Sequence, residues 1–505
     1  MPFLELINDV TDAWSKISYG VTPEGSIQAG DSPREFKIDK LQLTEVKGDA
    51  EGSDGDTYDI TELVLQFSYH ESIESAFIRC DISILDSVDF NSRLKGGEKV
   101  RIKMTTATAF NKEPLDTTMV VYKIGSISKT ERGQMYILHC ISPEMYHDEG
   151  NNVFKAFGPG EGTLQHDCIP KLICEKWLKC KGGKKLRKDN FENHSQYTFV
   201  ACSWKPSDTI AFLSDKVTRL SESKADKKQS GFLFWENRNG FNFRSIDSLA
   251  KGEGEQNGIY TYSYVQQAQQ GVNPMYAIES VTYPDKANHL ANMRMGTYKT
   301  AAIGVSLPSQ KDSFAPPSGS KEEAENEEAT NVTADSGTGM GTAPGGTINA
   351  MRILNYKQVF AKADTIEKYP PFAVPDFFDI DKAQPTRMKI RALPGMKNQT
   401  NVGNPNNGTN PDVDSMAVAQ YAAARYNLLK AIKLNITIPG NTALAAGGMV
   451  KVVIPASQED GENVKQDLQF SGKYLVAALT HVYRRTGITT KLFLIRDSKP
   501  KGTKK

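Results

Sequence analysis

Two widely separated stretches of the chain follow one plan. "NSRLKGGEKVRIKM" (Asn91 to Met104) and "NTALAAGGMVKVVI" (Asn441 to Ile454) each open with asparagine and carry leucine three residues on, at Leu94 and Leu444. Each then alternates apolar residues, Val100, Ile102 and Met104 against Val450, Val452 and Ile454. A glycine pair stands in both, Gly96-Gly97 and Gly447-Gly448, displaced by one position. After a loop, both continue as strand, glycine turn and strand, with Gly133 and Gly487 at the turns. Period-two alternation marks a half-buried strand, and self-similarity marks a repeated supersecondary unit. The expectation is two related β-barrels, one near each end.

The surroundings of the first stretch agree. From Glu35 to about Ser142 the chain reads as strand after strand with turn signals between, the pattern of an antiparallel sandwich or barrel. "FKIDKLQLTEV" (Phe36 to Val46) alternates at Phe36 and Ile38 and then, after a slip, at Leu41 and Leu43.

The middle of the chain differs. A Gly/Pro loop leads to a predicted helix over Asp167 to Leu178, with Pro170 in its first turn and Gly182-Gly183 stopping it. A second helix is predicted after "SWKP", with Ser207 as cap and Ile210, Leu213, Val217 and Leu220 as its stripe. Then comes "GFLFWENRNGFNFRSI" (Gly231 to Ile246), a hairpin predicted to turn at Asn239-Gly240. Its rings suit either a stacking surface or a core, and the adjacent amphipathic helix favours the core.

Residues 309–347 hold one aromatic amid dense Ser, Gly, Pro and Glu, too few apolar groups to offset the entropy of ordering. A helix follows at Ser415 to about Lys430, with Met416, Ala419, Ala423, Tyr426 and Leu429 in register, and strands close the chain. The first 34 residues read as a short amphipathic arm with Phe3, Leu4, Ile7, Val10 and Trp14 near helical spacing, not as a signal peptide.

Charge and motifs exclude more than they assign. Lys plus Arg total 61 against 60 for Asp plus Glu, whereas a protein that grips nucleic acid shows a basic excess. No apolar run reaches the about 18 residues that cross a bilayer as a helix. The six cysteines are expected as reduced thiols. His166, Cys168, Cys174 and Cys180 invite a metal reading, but six-residue steps spread the cysteines over three helix faces. "GPGEGT" (Gly158 to Thr163) lacks the Gly-Lys-Ser/Thr ending of a phosphate loop. The basic run Lys176, Lys179, Lys181, Lys184, Lys185, Arg187 and Lys188 holds a single aromatic, Trp177, rather than interleaved rings and reads as a solvated loop. No catalytic, cofactor-binding or metal-ligating residue is assigned.

Four segments then carry a resemblance: "SWKPSDTIAFLSDKV", the aromatic hairpin, the helix at Ser415 to Lys430 and "ITIPGNTALAAGGMVKVVIP…GKYLVAALTHVYRRTGITTKLFLIRDS". In this order they resemble the baseplate hub proteins of contractile-tailed, T-even-like bacteriophages. The late-control D proteins and the amino half of VgrG spikes are more distant. The resemblance spans Phe36 to Asp497 and has no catalytic signature.

It implies a mixed, mainly β fold, with two related antiparallel "tube" barrels and an inserted α+β domain, to which the composition of this chain adds a disordered insertion that is unusual for the compact relatives. The corresponding division is an arm at 1–34, a first barrel at 35–147 and the α+β insert at 148–257. A discontinuous second barrel occupies 258–305 and 413–498, interrupted by the disordered 306–350 and a small peripheral domain at 351–412. A basic tail, 499–505, ends the chain. The implied role is a homotrimeric, pseudo-sixfold hub in the virion tail baseplate, assembled in the host cytoplasm and serving host cell entry and genome ejection. Its partners would be the central spike below, tail tube and tape-measure proteins above and baseplate wedge proteins around it. Double-stranded DNA would pass without specific binding. No enzyme activity, cofactor or membrane segment is expected. A tail-associated peptidoglycan hydrolase and a spike or hub component of a secretion-type contractile injection system are the alternatives.

Overall fold

The alternating residues near the start form seven strands: β1 (Phe36–Val46), β2 (Asp54–Asp59), β3 (Val64–Ser72), β4 (Arg79–Asp86), β5 (Lys99–Thr106), β6 (Leu115–Thr130) and β7 (Gly133–Ile141). In the computed structural model they pair in the order β2-β1-β5-β6-β7-β4-β3, every neighbour antiparallel. The turn after β2 closes this sheet on itself. Ile60 N–H donates to Leu41 O at 3.0 Å on β1, and Leu85 N–H of β4 donates to Leu63 O at 2.8 Å. The residues described are 33–46, 54–106, 114–130, 133–157, 169–180, 184–189, 191–192, 199–219, 229–252, 259–264, 273–284, 288–306, 347–371, 387–393, 415–455, 467 and 469–500. Residues 1–32 of the arm expected at 1–34 and 501–505 of the tail expected at 499–505 therefore lie outside them.

The slip read in β1 is a β-bulge, since its register with β5 shifts between Ile38 and Lys40. One extra residue restores the parity that a period of two would break, so Leu41 and Leu43 still face inward. Val100, Ile102 and Met104 are fully buried beside them, each side chain contributing about 1.5–3 kcal/mol by burial.

The middle region comprises the helix Pro143–Gly150, β8 (Val153–Phe157), the helix Ile169–Lys176, β9 (Lys185–Lys188), β10 (Phe191–Glu192), β11 (Phe199–Trp204) and the helix Pro206–Leu213. Strand β12 (Thr218–Arg219), β13 (Phe232–Asn237), β14 (Gly240–Ser245) and the helix Ile246–Ala250 complete it. The pairs β8–β11 and β10–β12 and the sheet β13-β14-β9 make it α+β. In the helix expected over 167–178, Asp167 and Cys168 lie outside the described residues, and so does the "GPGEGT" segment.

Ser207 does not cap the second helix. Lys205 is the cap residue and Pro206 the first helical position. The Asp148 carboxylate, from another helix, accepts from Ser207 N–H at 2.7 Å and from its hydroxyl at 2.8 Å. Val217 is buried but lies beyond the helix end at Leu213, and Leu220 is not among the described residues.

The hairpin turns at Arg238-Asn239, with Asn237 opposite Gly240, one residue earlier than the sequence suggests. Its rings fill cores. Phe232, Phe241 and Phe243 join one apolar cluster with Ile173, Ile210 and Leu213, while Trp235 enters a second with Leu249, Leu429 and Ile495.

The rest of the chain adds β15 (Tyr260–Tyr264), β16 (Ala277–Ile278), β17 (Ser280–Thr282), the helix His289–Met295, β18 (Lys299–Ser306), β19 (Thr347–Asn355), the helix Tyr356–Lys362 and β20 (Arg387–Leu393). The helix Ser415–Leu429 and strands β21 (Ile432–Pro439), β22 (Met449–Val453), β23 (Gly472–Arg484) and β24 (Gly487–Arg496) follow. A second barrel runs β15-β22-β23-β24-β21-β17, and β16, one residue before β17, pairs back to β15 and closes the ring. It is not wholly antiparallel, because β15 runs parallel to both β22 and β16.

Strand Lys299–Ser306, of which 299–305 are expected in the second barrel, lies in a separate sheet, β19-β18-β20. Residues 307–346 of the insertion lie outside the described residues, whereas Thr347–Asn355 forms strand β19. The helix Ser415–Leu429 is buried on more than one stripe, with Ala419, Ala422, Arg425 and Leu428 all inside, as expected of a helix packed on several neighbours.

Candidate functional site: the junction of the two barrels

The barrels correspond in detail. Both place β3 to β7 and β17, β21, β22, β23 and β24 in the same spatial order, β5-β6-β7-β4-β3 against β22-β23-β24-β21-β17. Val120 opposes Lys99 and Ile141, just as Leu475 opposes Met449 and Ile495. This register puts Val100, Ile102 and Met104 over Val450, Val452 and Ile454, the equivalence read from the sequence. The two hairpins end alike, with Thr130 opposite Gly133 and Arg484 opposite Gly487. The first strands differ: β1 runs antiparallel to β5, β15 parallel to β22.

Strand β23 does more than complete its own barrel. Its first residues pair with β22, whereas Ala478 to Arg484 pair antiparallel with Ser72 to Gln66 of β3. One sheet therefore runs through both barrels. Aromatic rings reinforce the seam: Tyr483 stacks on Phe67 with centroids 4.8 Å apart and meets Phe36 edge-on at 4.9 Å. Tyr69 stacks on His481 at 5.9 Å. Such offset and edge contacts add about 0.5–1.5 kcal/mol each beyond burial.

Glu71 fastens three units at this seam. Its carboxylate accepts from Tyr69 Oη at 2.7 Å, from Arg238 N–H at the hairpin tip at 2.6 Å and from Ala446 N–H of the second barrel at 2.9 Å. Ala446 O in turn accepts from Trp235 Nε1 at 3.1 Å and Asn237 Nδ2 at 3.2 Å. The Arg238 guanidinium also donates to Thr442 O. Burial pushes the Glu71 carboxyl from its usual 4.5 to about 7, against the pull of its three donors. Burial likewise lowers His481 to about 3. Its Nδ1 meets Thr490 Oγ1 at 2.8 Å, and the ring is neutral at ordinary pH.

Two further buried charge groups hold the frame. Glu236 accepts from Lys184 Nζ at 2.6 Å and from Ile78 N–H at 3.2 Å, and Lys184 reaches Glu144 at 2.8 Å. Burial raises the Glu236 carboxyl despite Lys184. Lys184, part of the run that the sequence marks as a solvated loop, is instead a half-buried cation between two buried carboxylates, a role invisible without the fold. Arg425, fully buried, donates to Asp497 Oδ2 at 2.5 Å and to Asp364 O at 2.6 Å, with Asp247 Oδ1 3.4 Å from its Nε. Glu71, Glu236, Asp247 and Asp497 are each engaged by donors from separate elements, which suits cross-linking of units.

Of the residues weighed for metal binding, Cys174 is buried and Cys180 half-buried, and the described residues contain no group of three ligand side chains arranged for a metal. His166 and Cys168 lie outside them. Lys176 lies over the Trp177 ring at 4.9 Å. No helix among the described residues is long and apolar enough to cross a membrane. The junction residues themselves carry little sequence signal; the polar run Glu236-Asn237-Arg238-Asn239 between aromatic strands is the feature that could have marked them.

No family profile matches the chain, and no curated protein matches it. Among solved structures it is similar to the 43 kDa tail protein of prophage MuSo2 from Shewanella oneidensis, at 10% identity and TM-score 0.48, over 92% of this chain and 100% of that one. It is similar to the tail protein of Neisseria meningitidis MC58, at 10% identity and TM-score 0.47, over 92% and 96%. A third is the E. coli c3393 protein, a type VI secretion component described as structurally similar to T4 tail proteins gp27 and gp5, at 11% identity and TM-score 0.38, over 93% and 79%.

Proposed function

We propose that the chain is the structural hub of a bacteriophage contractile-tail baseplate, a homotrimer whose paired barrels form a pseudo-sixfold ring between tail tube and central spike and line the DNA exit. The observation that carries this reading is the duplication: two barrels of one strand order and register, joined by continuous sheet. A chain with two pseudo-equivalent units converts threefold symmetry on one side into near-sixfold symmetry on the other. The resemblance of the motif order to hub proteins supports the same role.

The charge balance also supports it. With 61 basic and 60 acidic residues, the chain lacks the excess that would hold phosphates, as suits a conduit through which duplex DNA slides. The reading includes no catalytic activity. Sedimentation equilibrium tests it: the chain should sediment at three times its own mass, and a monomer at high concentration contradicts the assignment.

A further inference from the structure

The seam between the barrels has a second, unfilled counterpart. Within the chain, the far half of β23 pairs with β3, so that Arg484, Tyr483 and Val482 oppose Gln66, Phe67 and Ser68. By the barrel correspondence, Arg484, Tyr483 and Val482 match Thr130, Lys129 and Ser128 of β6, counted from the Gly487 and Gly133 turns. Likewise Gln66, Phe67 and Ser68, which face Ser83, Ile82 and Asp81 of β4, match Ser280, Val281 and Thr282 of β17, which face Thr437, Ile436 and Asn435 of β21.

Both matching edges are bare of strand partners among the described residues. On the side away from β7, β6 pairs with β5 only from Leu115 to Val120, and beyond that no strand covers it among the described residues. The side of β17 away from β21 has no strand partner among them either. Beside these edges Tyr122, Ile127 and Tyr283 are 49%, 53% and 39% exposed. A bare edge with apolar neighbours is a template for another strand. A second bulge in β6, between Gly125 and Ser128, limits the in-register run to about the length of β17.

We infer that the last residues of β6 of one copy pair antiparallel with β17 of the next copy, Ser128 opposite Thr282, Lys129 opposite Val281 and Thr130 opposite Ser280. The contact between chains thereby repeats the contact within each chain. Donor and acceptor edges lie on different barrels, so the contact is head-to-tail and generates a ring where its rotation closes. The inference rests on the ring reading above and adds its strands and register.

Cysteine cross-linking tests it. Opposed residues of antiparallel strands have Cα atoms about 4.5–5.5 Å apart, within disulfide reach. The double variant Ser128→Cys/Thr282→Cys, oxidised and run on a non-reducing gel, should give dimer and trimer bands and none higher. Each single variant, and the off-register pair Lys123→Cys/Thr282→Cys, should stay at single-chain mass, which controls for the native cysteines. A protein that sediments as a trimer yet does not cross-link overturns the strand assignment and leaves the homotrimer standing. A protein that sediments as a monomer overturns both, and a ladder continuing above the trimer overturns closure of the ring.

Discussion

Val121 and Val476 occupy the same point in their respective barrels. Val121 O accepts from Gly97 N–H at 2.7 Å and its own N–H donates to Glu98 O at 2.9 Å; Val476 O accepts from Gly447 N–H at 2.9 Å and its N–H donates to Gly448 O at 2.8 Å. Directly beyond each, the ladder slips, between Val121 and Lys123 and between Val476 and Ala478. A bulge repeated with its hydrogen bonds ties the barrels more closely than strand order does, because bulges are position-specific features of a fold. It also explains the one-residue offset of the glycine pairs, since Gly97 and Gly447 are the matching residues.

Equivalent backbone places do not mean equivalent tolerance. Gly97 and Gly447 both lie at positive φ, +96° and +88°, so alanine at either costs about 1–2 kcal/mol in backbone strain. A Cβ on Gly97 meets only Val46 at 3.5 Å, whereas one on Gly447 falls 2.5 Å from Cζ2 of buried Trp235. Overpacking adds about 1–3 kcal/mol. Urea unfolding should therefore rank Gly447→Ala well below Gly97→Ala in stability.

Glu71 should make stability fall as pH rises. Its folded carboxyl titrates near 7 against a usual 4.5, so between these values the native state holds a proton that the unfolded chain has released. The resulting loss approaches about 3 kcal/mol by pH 8. Denaturation of wild type and Glu71→Gln across this range checks it: the wild-type advantage over the variant should shrink with rising pH.

His481 acts with the opposite sign. Its folded value near 3 lies below the usual 6.5, so the unfolded chain binds a proton that the native state refuses, and stability is lost as pH falls through that window. In His481→Gln this acid-side decline should be shallower, measured by urea midpoints from pH 7 to pH 4.

Removing Arg425 should expose the cost of its partners. Arg425→Met leaves Asp247 and Asp497 buried without their cation, a loss of about 3–5 kcal/mol. Burial already raises the Asp247 carboxyl against the pull of Arg425, and without Arg425 it rises further. The variant's deficit against wild type, followed by thermal unfolding, should narrow as pH is lowered.

Much of the frame was legible because it rests on local alternation. The slip in β1, the paired glycine turns and the burial of Phe232, Trp235, Phe241 and Phe243 all follow from residue patterns a few positions long. What escaped depends on distant partners. Lys299–Ser306 alternates like any strand, and nothing in it says that it pairs with Thr347–Asn355 rather than with the barrel. Ser207 looks like a helix cap until Asp148 is brought beside it. Glu71 and Lys184 look solvated in their own segments, and only the approach of Ala446, Arg238 and Glu236 shows why a charge is held inside.

Electron cryomicroscopy of the purified protein viewed end-on asks whether the two barrels are equivalent modules around a common axis. Closed particles with threefold symmetry, six similar lobes and an open bore are the expected result. Isolated single chains, unequal lobes or a filled centre would contradict it.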